Sequence, residues 1–425
     1  MDLWVVSKDG NALWYTQRRD LKPEDPWTEL RSEFDELHYG EGPIKTSTLW
    51  KLDLNTWRTK EIYDPERVIT YFDVTPSGER IAMITTPDRR LFTNEGWSRV
   101  DILETESGEV NTLEDTLWRD EAPSPYGWLE SPSWSSDGQC LVFTVGFDGF
   151  PPEIIVTTFG DEVTSQRVER PEEVSFRSAP QWFHGHDLVF VAEQHAANPL
   201  IVIRSVGDGK QGEYEWLSAK DANIWSFSLP KIGNAIALSN ATMTRTSQVT
   251  ILEHKQLRVV ADPNPHMNEW SLPQIERVQW QAEDGTTVEG VLETPKGWTK
   301  EDGPLPMYVH LHGGPTGMSA ASLSLSTSMR GFLPSRGWAL LSPNYRGSTG
   351  YGDTFLIQLV GRENDIDVSD ILSGVDAMVE RGIASYTIVA GRINDRRSQS
   401  GVKCNSGYAL GLHIFNLILH QGNKR

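Results

Sequence analysis

The first part of the chain is a succession of short β-like runs separated by polar turns. From Met1 to about Trp270, hardly any segment keeps a helical period over three turns. Five stretches share one form, in which a polar turn with glycine comes before an apolar strand. They are SKDGNALWYT from Ser7, TPSGERIAMIT from Thr75, SSDGQCLVFTV from Ser135, FHGHDLVFVAE from Phe183 and PKIGNAIALSN from Pro230. Several strands per unit, recurring about every 50 to 70 residues, are typical of β-propeller blades.

An irregular all-β domain with ordinary Asp-Gly turns is the alternative interpretation of this pattern. The strand count is too high for one ordinary sandwich, which favours the propeller. About five blades are visible, and because large propellers need more, we expect the first blade or blades to be missing. Most of the 16 tryptophans lie in this part, and we expect them to fill blade cores and the spaces between blades.

The pattern changes after Trp270. The stretch Ile275 to Trp298 predicts an antiparallel hairpin through the Asp284-Gly285 turn. Two solid apolar strands, PMYVHLHGG and WALLSPNYRG, come before the amphipathic helix DVSDILSGVDAMVERG. Solid strands alternating with such helices indicate a parallel sheet covered on both faces. The predicted fold class is therefore mixed: an N-terminal all-β propeller over residues 1–270, followed over residues 271–425 by part of an α/β domain with a mostly parallel sheet.

Composition narrows the possible partners and compartments. The net charge of −20 disfavours nucleic acid and anionic membranes, and no window of about 18 apolar residues predicts a membrane span. The two cysteines, Cys140 and Cys404, form no disulfide framework. The N-terminus has no signal-peptide pattern, which predicts a cytoplasmic protein, although a leader lost ahead of Met1 would reverse this prediction. The histidines and glycines form no metal-binding or dinucleotide motif, so we expect no metal and no cofactor.

The stretch HLHGGPTG, residues 310–317, carries the first chemical signal. It stands at the carboxyl end of the first solid strand, where α/β sheets place their ligands. Gly313 and Gly314 would leave backbone N–H groups open to a developing oxyanion, as in the glycine loops of α/β-hydrolases. The alternative is a plain turn in which both glycines merely supply positive φ angles.

Three runs carry a family resemblance, and together they cover roughly residues 275–384. HLHGGPTG, RGFLPSRGWALLSPNYRGSTGYGDTF and DVSDILSGVDAMVERGIA, in this order, closely resemble the serine peptidases of the prolyl oligopeptidase family. The resemblance is best with the branch that contains dipeptidyl aminopeptidases and acylaminoacyl peptidases. It implies a β-propeller ahead of an α/β-hydrolase domain, in agreement with the pattern of strands and helices.

The resemblance also implies roles for individual residues. It places His312, Gly313 and Gly314 on the oxyanion side of the site. It places a second loop close to the substrate, with the candidate residues Tyr345, Arg346 and Ser348. Arg346 would contact a substrate carbonyl or carboxylate, or would instead tie loops together as a structural guanidinium. The carboxylates Asp365, Asp367 and Asp370 are expected at the solvated start of a helix, and we assign them no catalytic role.

The family pattern breaks where a nucleophile is expected. In this fold, a strand should lead into G-x-S-x-G, and TIVAG, Thr387 to Gly391, fits that strand. The next residues, RINDRRSQSGVKCNS, contain no serine or cysteine with small neighbours at both offsets; the rejected candidates are Ser398, Ser400, Cys404 and Ser406. The late acid and base are missing too, because Asp395, His413 and His420 lie too early. An unspliced intron over residues 392–406, or a misassigned exon boundary, would explain this break, and the catalytic residues stay unknown.

Two functions follow from these observations. The first is a serine hydrolase that releases dipeptides or acylated residues from the N-termini of short peptides, or cleaves small amides or esters, through an acyl-enzyme. Because the nucleophile is missing, we expect this chain as written to be catalytically impaired. The second is a non-catalytic propeller pseudoenzyme that binds peptide or protein. Glu33, Asp35 and Glu36 could hold a substrate ammonium, or could form a solvated acidic loop; the sequence does not define the oligomeric state.

Overall fold

The computed structural model describes residues 3–20, 45–87, 96–120, 122–123, 127–207, 209–314, 316–323 and 329–394. Within these residues the strands form six hydrogen-bonded sheets. Five antiparallel sheets follow one another from Trp4 to Ala261, and a mixed sheet lies between Gln274 and Asn394. This order confirms the predicted fold class. The division into domains at residue 270 stays a prediction.

The first three sheets each have four strands in sequence order, and we call them blades 1 to 3. Blade 1 contains β1 (Trp4–Val6), β2 (Ala12–Asp20), β3 (Lys45–Asp53) and β4 (Arg58–Tyr63). Blade 2 contains β5 (Val68–Val74), β6 (Arg80–Thr86), β7 (Arg99–Glu104) and β8 (Val110–Thr112). A short helix, α1 (Thr116–Arg119), leads to blade 3 with β9 (Gly127–Trp134), β10 (Cys140–Phe147), β11 (Glu153–Phe159) and β12 (Val163–Val168).

Blades 4 and 5 continue the same arrangement. In blade 4 the first strand is interrupted, so that two short strands both pair with the third. Blade 4 contains β13 (Ser175–Phe176), β14 (Gln181–Phe183), β15 (Asp187–Glu193), β16 (Leu200–Arg204) and β17 (Glu213–Trp216). Blade 5 contains β18 (Asn223–Ser228), β19 (Ile236–Ala241), β20 (Gln248–Glu253) and β21 (Gln256–Ala261).

The repeated glycine turns occupy the same place in every blade. Each turn connects the first strand of its blade, or β14 in blade 4, to the strand that follows it. Their glycines all have positive φ angles, of 75° at Gly10, 76° at Gly78, 72° at Gly138, 75° at Gly185 and 87° at Gly233. Residues with a Cβ atom disfavour this conformation, so the sequence repeat marks a structural requirement of each blade.

Apolar clusters fill the spaces between successive blades. One cluster joins Trp14 and Leu49 of blade 1 to Ile81 of blade 2, and similar clusters lie between blades 2 and 3, 3 and 4, and 4 and 5. Strands β10 and β15 of blades 3 and 4 are therefore buried on both faces, whereas β20 of blade 5 alternates between buried and exposed positions. Burial of apolar side chains between sheets is the main stabilising term of this part.

The sixth sheet has five strands in the order β22, β23, β25, β24 and β26. The strands are β22 (Gln274–Gln281), β23 (Thr287–Thr294), β24 (Leu305–His312), β25 (Ala339–Asn344) and β26 (Ala384–Asn394). Strand β23 pairs antiparallel with β22 and β25, whereas β24 pairs parallel with β25 and β26. Among the described strands the sheet is thus evenly mixed and not mostly parallel as predicted, because the predicted hairpin joins its edge directly.

In the described part of the chain, two helices and three short 3-10 turns accompany this sheet. The helices are α2 (Asp353–Ile357) and α3 (Ile366–Glu380), and the 3-10 turns are Pro265–Glu269, Lys300–Asp302 and Pro334–Arg336. Helix α3 buries Ile371, Val375 and Met378 in the same apolar cluster as strands β22 to β25. No helix among the described residues is long and apolar enough to cross a bilayer.

Candidate functional site

A cavity of about 650 Å³ lies between the propeller blades and the mixed sheet. Blades 3, 4 and 5 supply one wall, and the residues after β24 supply the opposite wall. The blade wall is rich in aromatic side chains: Trp128, Phe147, Phe150, Phe176 and Trp225. The sheet wall includes His310, His312, Gly313, Gly314, Gly317 and Thr349. Aromatic faces opposite a polar loop can hold an apolar group while the loop contacts polar atoms.

The sheet wall begins where β24 ends. This strand is flanked by two parallel neighbours, so its carboxyl end opens at the edge where α/β sheets bind ligands. The next residues turn sharply, and Gly314 has a φ angle of 139°. A Cβ atom at Gly314 would lie 2.7 Å from the carbonyl oxygen of Thr316, closer than side chains tolerate. Glycine is therefore required at this position for the turn itself.

His312 is held by the loop that follows β25. Its imidazole stacks on the Tyr345 ring, with the ring centres 4.8 Å apart, and its Nε2 lies 2.9 Å from the Ser348 hydroxyl. The Tyr345 hydroxyl donates to the carbonyl oxygen of His312 at 2.7 Å. Burial raises the pKa of Tyr345, so this hydroxyl keeps its proton and stays a donor. The two predicted loops therefore meet, and His312, Tyr345 and Ser348 form one hydrogen-bonded group.

The direction of these hydrogen bonds decides what Ser348 can do. Its hydroxyl donates its single hydrogen to the carbonyl oxygen of Tyr345 at 2.6 Å, because a carbonyl can only accept. Nε2 of His312 must then donate to the Ser348 oxygen. A nitrogen that already carries a hydrogen cannot act as a general base for this hydroxyl. Ser348 is also fully buried, so it supports the loop and is not a nucleophile.

Arg346 ties loops together, as in the structural one of its two predicted roles. Its side chain is 3% exposed and donates to the carboxylate of Asp370, with Nε 3.0 Å and Nη2 2.6 Å from the oxygens. Nη1 also donates to Asp284 at 2.5 Å. Arg346 does not line the cavity. It ties the loop after β25 to helix α3 and to the β22–β23 turn, and it is not placed to contact a substrate in the cavity.

The prediction that the carboxylates of helix α3 are solvated is wrong for two of the three. Asp365 is exposed, but Asp367 and Asp370 are 2% and 0% exposed, so they do not form a solvated helix start. Asp370 is buried because Arg346 neutralises it and because the backbone N–H of Arg346 donates to it at 2.9 Å. Burial raises the pKa of Asp367. Sequence reasoning missed this burial because spacing along a helix does not reveal a partner on a distant loop.

A second polar group, not predicted from the sequence, joins blade 4 to the sheet wall. Arg177 donates to the carboxylate of Glu193 at 3.1 Å, and its guanidinium lies 4.7 Å from the ring centre of Trp225. The other oxygen of Glu193 accepts a hydrogen bond from Thr349. Trp225 and Trp128 line the cavity, a position that the expected packing role of the tryptophans did not include. No sequence motif identifies Arg177, Glu193 or Trp225. What they share is a position near the end of a propeller strand.

The predicted strand TIVAG lies within β26, and its register pairs Val389 with Met307 of β24. The residues after Asn394 lie outside the described part of the chain, together with Ser398, Ser400, Cys404, Ser406, Asp395, His413 and His420. The acidic candidates Glu33, Asp35 and Glu36 also lie outside it. Among the residues that are described, no cluster of three or more His, Cys, Asp and Glu side chains is placed to hold a metal ion.

Comparisons with known proteins agree with this arrangement. The sequence profile of the prolyl oligopeptidase family matches residues 324–391. The acylamino-acid-releasing enzyme of Arabidopsis thaliana is 28% identical over 260 residues, which cover 61% of this chain and 30% of that protein. Over these matched stretches the chain is similar to the prolyl oligopeptidase family.

Solved structures show the same fold. A puromycin-hydrolyzing peptidase of Mycobacterium tuberculosis has a TM-score of 0.63 and 18% identity, covering 92% of this chain and 57% of that one. A crystal structure of puromycin hydrolase has a TM-score of 0.62, 21% identity and the same coverage of 92% and 57%. These identities establish the fold alone. The chain thus spans about a third of the length of the curated relative and just over half of the solved chains.

Proposed function

We propose that the protein is related to serine hydrolases and that its cavity binds short peptides or small amides and esters. The observation that carries the proposal is the cavity, in which an aromatic wall from blades 3 to 5 faces the Gly313-Gly314 turn at the carboxyl end of β24. A carbonyl bound at that turn would have backbone N–H groups within reach of its oxygen, which is what stabilises a tetrahedral oxyanion.

The aromatic wall supports a preference for substrates with an apolar or acylated group. Trp225 and Phe176 would pack against an apolar or aromatic side chain, or against an acyl group, next to the scissile bond. Glu193 is already neutralised by Arg177, so it adds no strong preference for a free ammonium. Among the functions inferred for the family, release of N-acylated residues therefore fits this cavity better than release of dipeptides. The similarity to the acylamino-acid-releasing enzyme of Arabidopsis thaliana supports this choice.

Catalysis would require a serine after β26, which attacks the carbonyl carbon and forms an acyl-enzyme that water then hydrolyses. The sequence after Gly391 offers no G-x-S-x-G turn, and Ser348 is engaged as a structural hydroxyl. We therefore propose that this chain as written binds substrate but turns it over poorly or not at all. The same observation favours the second candidate, a pseudoenzyme that binds peptide.

Binding can be measured without catalysis. We expect an N-acetylated aromatic dipeptide amide to bind, and Trp225→Ala to weaken binding by about tenfold, because a stacked aromatic contact is lost from the cavity wall. Isothermal titration calorimetry at several temperatures checks the affinity and the negative heat-capacity change expected for apolar burial.

Trp216→Ala is the matched control, since Trp216 also faces a cation, Lys220 at 5.1 Å from its ring, but does not line the cavity. Equal weakening in both variants, or no binding by the native chain, would contradict the proposed site.

A further inference from the structure

The connection between β15 and β16 of blade 4 has an unusual backbone. Gln194 and Ala197 form a closing antiparallel bridge, so His195 and Ala196 make a two-residue turn. Their φ angles are 45° and 54°, which defines a type I′ turn. Such turns normally contain asparagine and glycine, because a Cβ atom disfavours positive φ. His195 and Ala196 adopt this conformation although their side chains do not favour it.

The same turn contacts the mixed-sheet region directly. The backbone oxygen of Ala196 accepts from the N–H of Ala321 at 2.7 Å, and the N–H of His195 donates to the oxygen of Gly350 at 3.0 Å. Ala196 is completely buried, in a cluster with Val291 of β23 and Ala321. The turn therefore lies between two loops that border the cavity, residues 317–321 and residues 348–351.

Neighbouring contacts extend this docking. Glu193, the last residue of β15, accepts from the Thr349 hydroxyl, and the N–H of Thr349 donates to the oxygen of Gly317 at 3.0 Å. Gly350 approaches the backbone of Glu193 so closely that a Cβ atom there would lie 2.9 Å from the Glu193 carbonyl carbon. The two loops are thus bonded to the hairpin and to each other.

A second hairpin in the propeller has the same turn conformation but is not docked. His254 and Lys255 connect β20 and β21 with φ angles of 51° and 61°, the same turn type with histidine again in first place. This turn is exposed, and Lys255 forms an ion pair with Glu215 of blade 4. The chain can therefore form this turn without docking, and burial against the two loops is what distinguishes the β15–β16 turn.

We propose that the β15–β16 hairpin is a positioning element, through which blade 4 holds residues 317–321 and 348–351 in the arrangement that shapes the sheet wall of the cavity. The proposal goes beyond hydrolysis or peptide binding, because it concerns the geometry of the loops in the free protein. Its consequence is that a change at Ala196 acts on the loops beside His312 without any contact between Ala196 and a bound ligand.

The decisive variant is Ala196→Asn. Asparagine favours positive φ, so it improves the turn, but its amide does not fit the apolar cluster around Ala196. We expect the Ala321 and Thr349 amides to exchange hydrogen about tenfold faster or more, measured by hydrogen–deuterium exchange in the full chain, while the β15 and β16 amides stay protected. Ala196→Gly, which keeps positive φ and adds no atoms, should retain near-native exchange.

Lys255→Asn is the matched control at the second position of the exposed turn, and we expect it to leave both loops unchanged. Unchanged exchange of Ala321 and Thr349 in Ala196→Asn would overturn the proposal, as would a parallel rise throughout β15 and β16. If Ala196→Asn does not fold, Thr349→Val removes the bond to Glu193 and leaves the hairpin intact. That variant should speed exchange over residues 317–321, and no change would contradict the proposal. Absence of peptide binding or hydrolysis in the native chain would count against the proposed function and not against the hairpin.

Discussion

At the scale of single residues, most polar side chains in and beside the cavity walls form hydrogen bonds or ion pairs with one another. Arg346 is bonded to Asp370 and Asp284, Glu193 to Arg177, and Ser348 to Tyr345. Buried charges need such partners, since an unpaired one would be expensive in a low-dielectric interior. The motif SPNYRGSTGYG therefore identifies a supporting framework, and the residues that face a ligand come in part from the propeller.

Asp73 provides a residue-scale prediction at the other end of the propeller. Burial raises the pKa of Asp73 to about 6, although the backbone N–H groups of Trp134 and Val74 and the charge of Lys8 act in the opposite direction. A raised folded-state pKa means that the native protein binds more protons than the unfolded chain between about pH 4 and pH 6. The free energy of unfolding therefore falls as pH rises through that window.

We expect Asp73→Asn to remove this pH dependence and to be more stable than the native chain at pH 7 by about 3 kcal/mol, with little difference at pH 4. Urea unfolding of both proteins at the two pH values measures the change. A native chain whose stability relative to Asp73→Asn rises between pH 4 and pH 6 would contradict the prediction.

At the scale of elements, the packing of α3 on the mixed sheet depends on a close contact. A Cβ atom at Gly374 would lie 2.7 Å from Cε2 of Trp280, whose indole N–H donates to the oxygen of Asp370 at 2.8 Å and so fixes the ring. Gly374→Ala gains about 1 kcal/mol of helix propensity, but overpacking typically costs about 1–3 kcal/mol.

We therefore predict a net destabilisation of about 1 kcal/mol for Gly374→Ala, measured by denaturant unfolding. Ser373→Ala, on the adjacent and partly exposed position, is the control and should be neutral or slightly stabilising. A Gly374→Ala protein more stable than the native chain would show that the helix moves away from Trp280 at no cost.

The same scale shows how far the sequence could predict the fold. The glycine turns at Gly78 and Gly138, the hairpin at Asp284-Gly285 and the amphipathic pattern of α3 all depend on local chemistry, and each prediction is confirmed. The burial of Asp370 and the aromatic cavity wall could not be predicted, because they depend on contacts between segments far apart in the chain. Arg177 and Trp225, for example, meet across two blades.

At the scale of the whole molecule, the cavity exists because two different kinds of sheet face each other. The blades supply aromatic surface and the mixed sheet supplies a glycine turn, and neither alone encloses a ligand. The net charge of −20 agrees with a neutral or cationic ligand. The family resemblance and the alternating pattern together predicted this order of parts, but the docking of the β15–β16 hairpin between them carries no sequence motif.

Fluorophosphonate labelling distinguishes the two proposed functions, because the probe reacts with an activated serine and we propose that this chain has a ligand cavity without one. The purified chain would be treated with the probe and examined by intact mass and peptide mapping. We expect no covalent adduct, in a protein that still binds an N-acetylated aromatic peptide amide. A single stoichiometric adduct on a serine would contradict it, because it would reveal a nucleophile that the spacing after Gly391 does not provide.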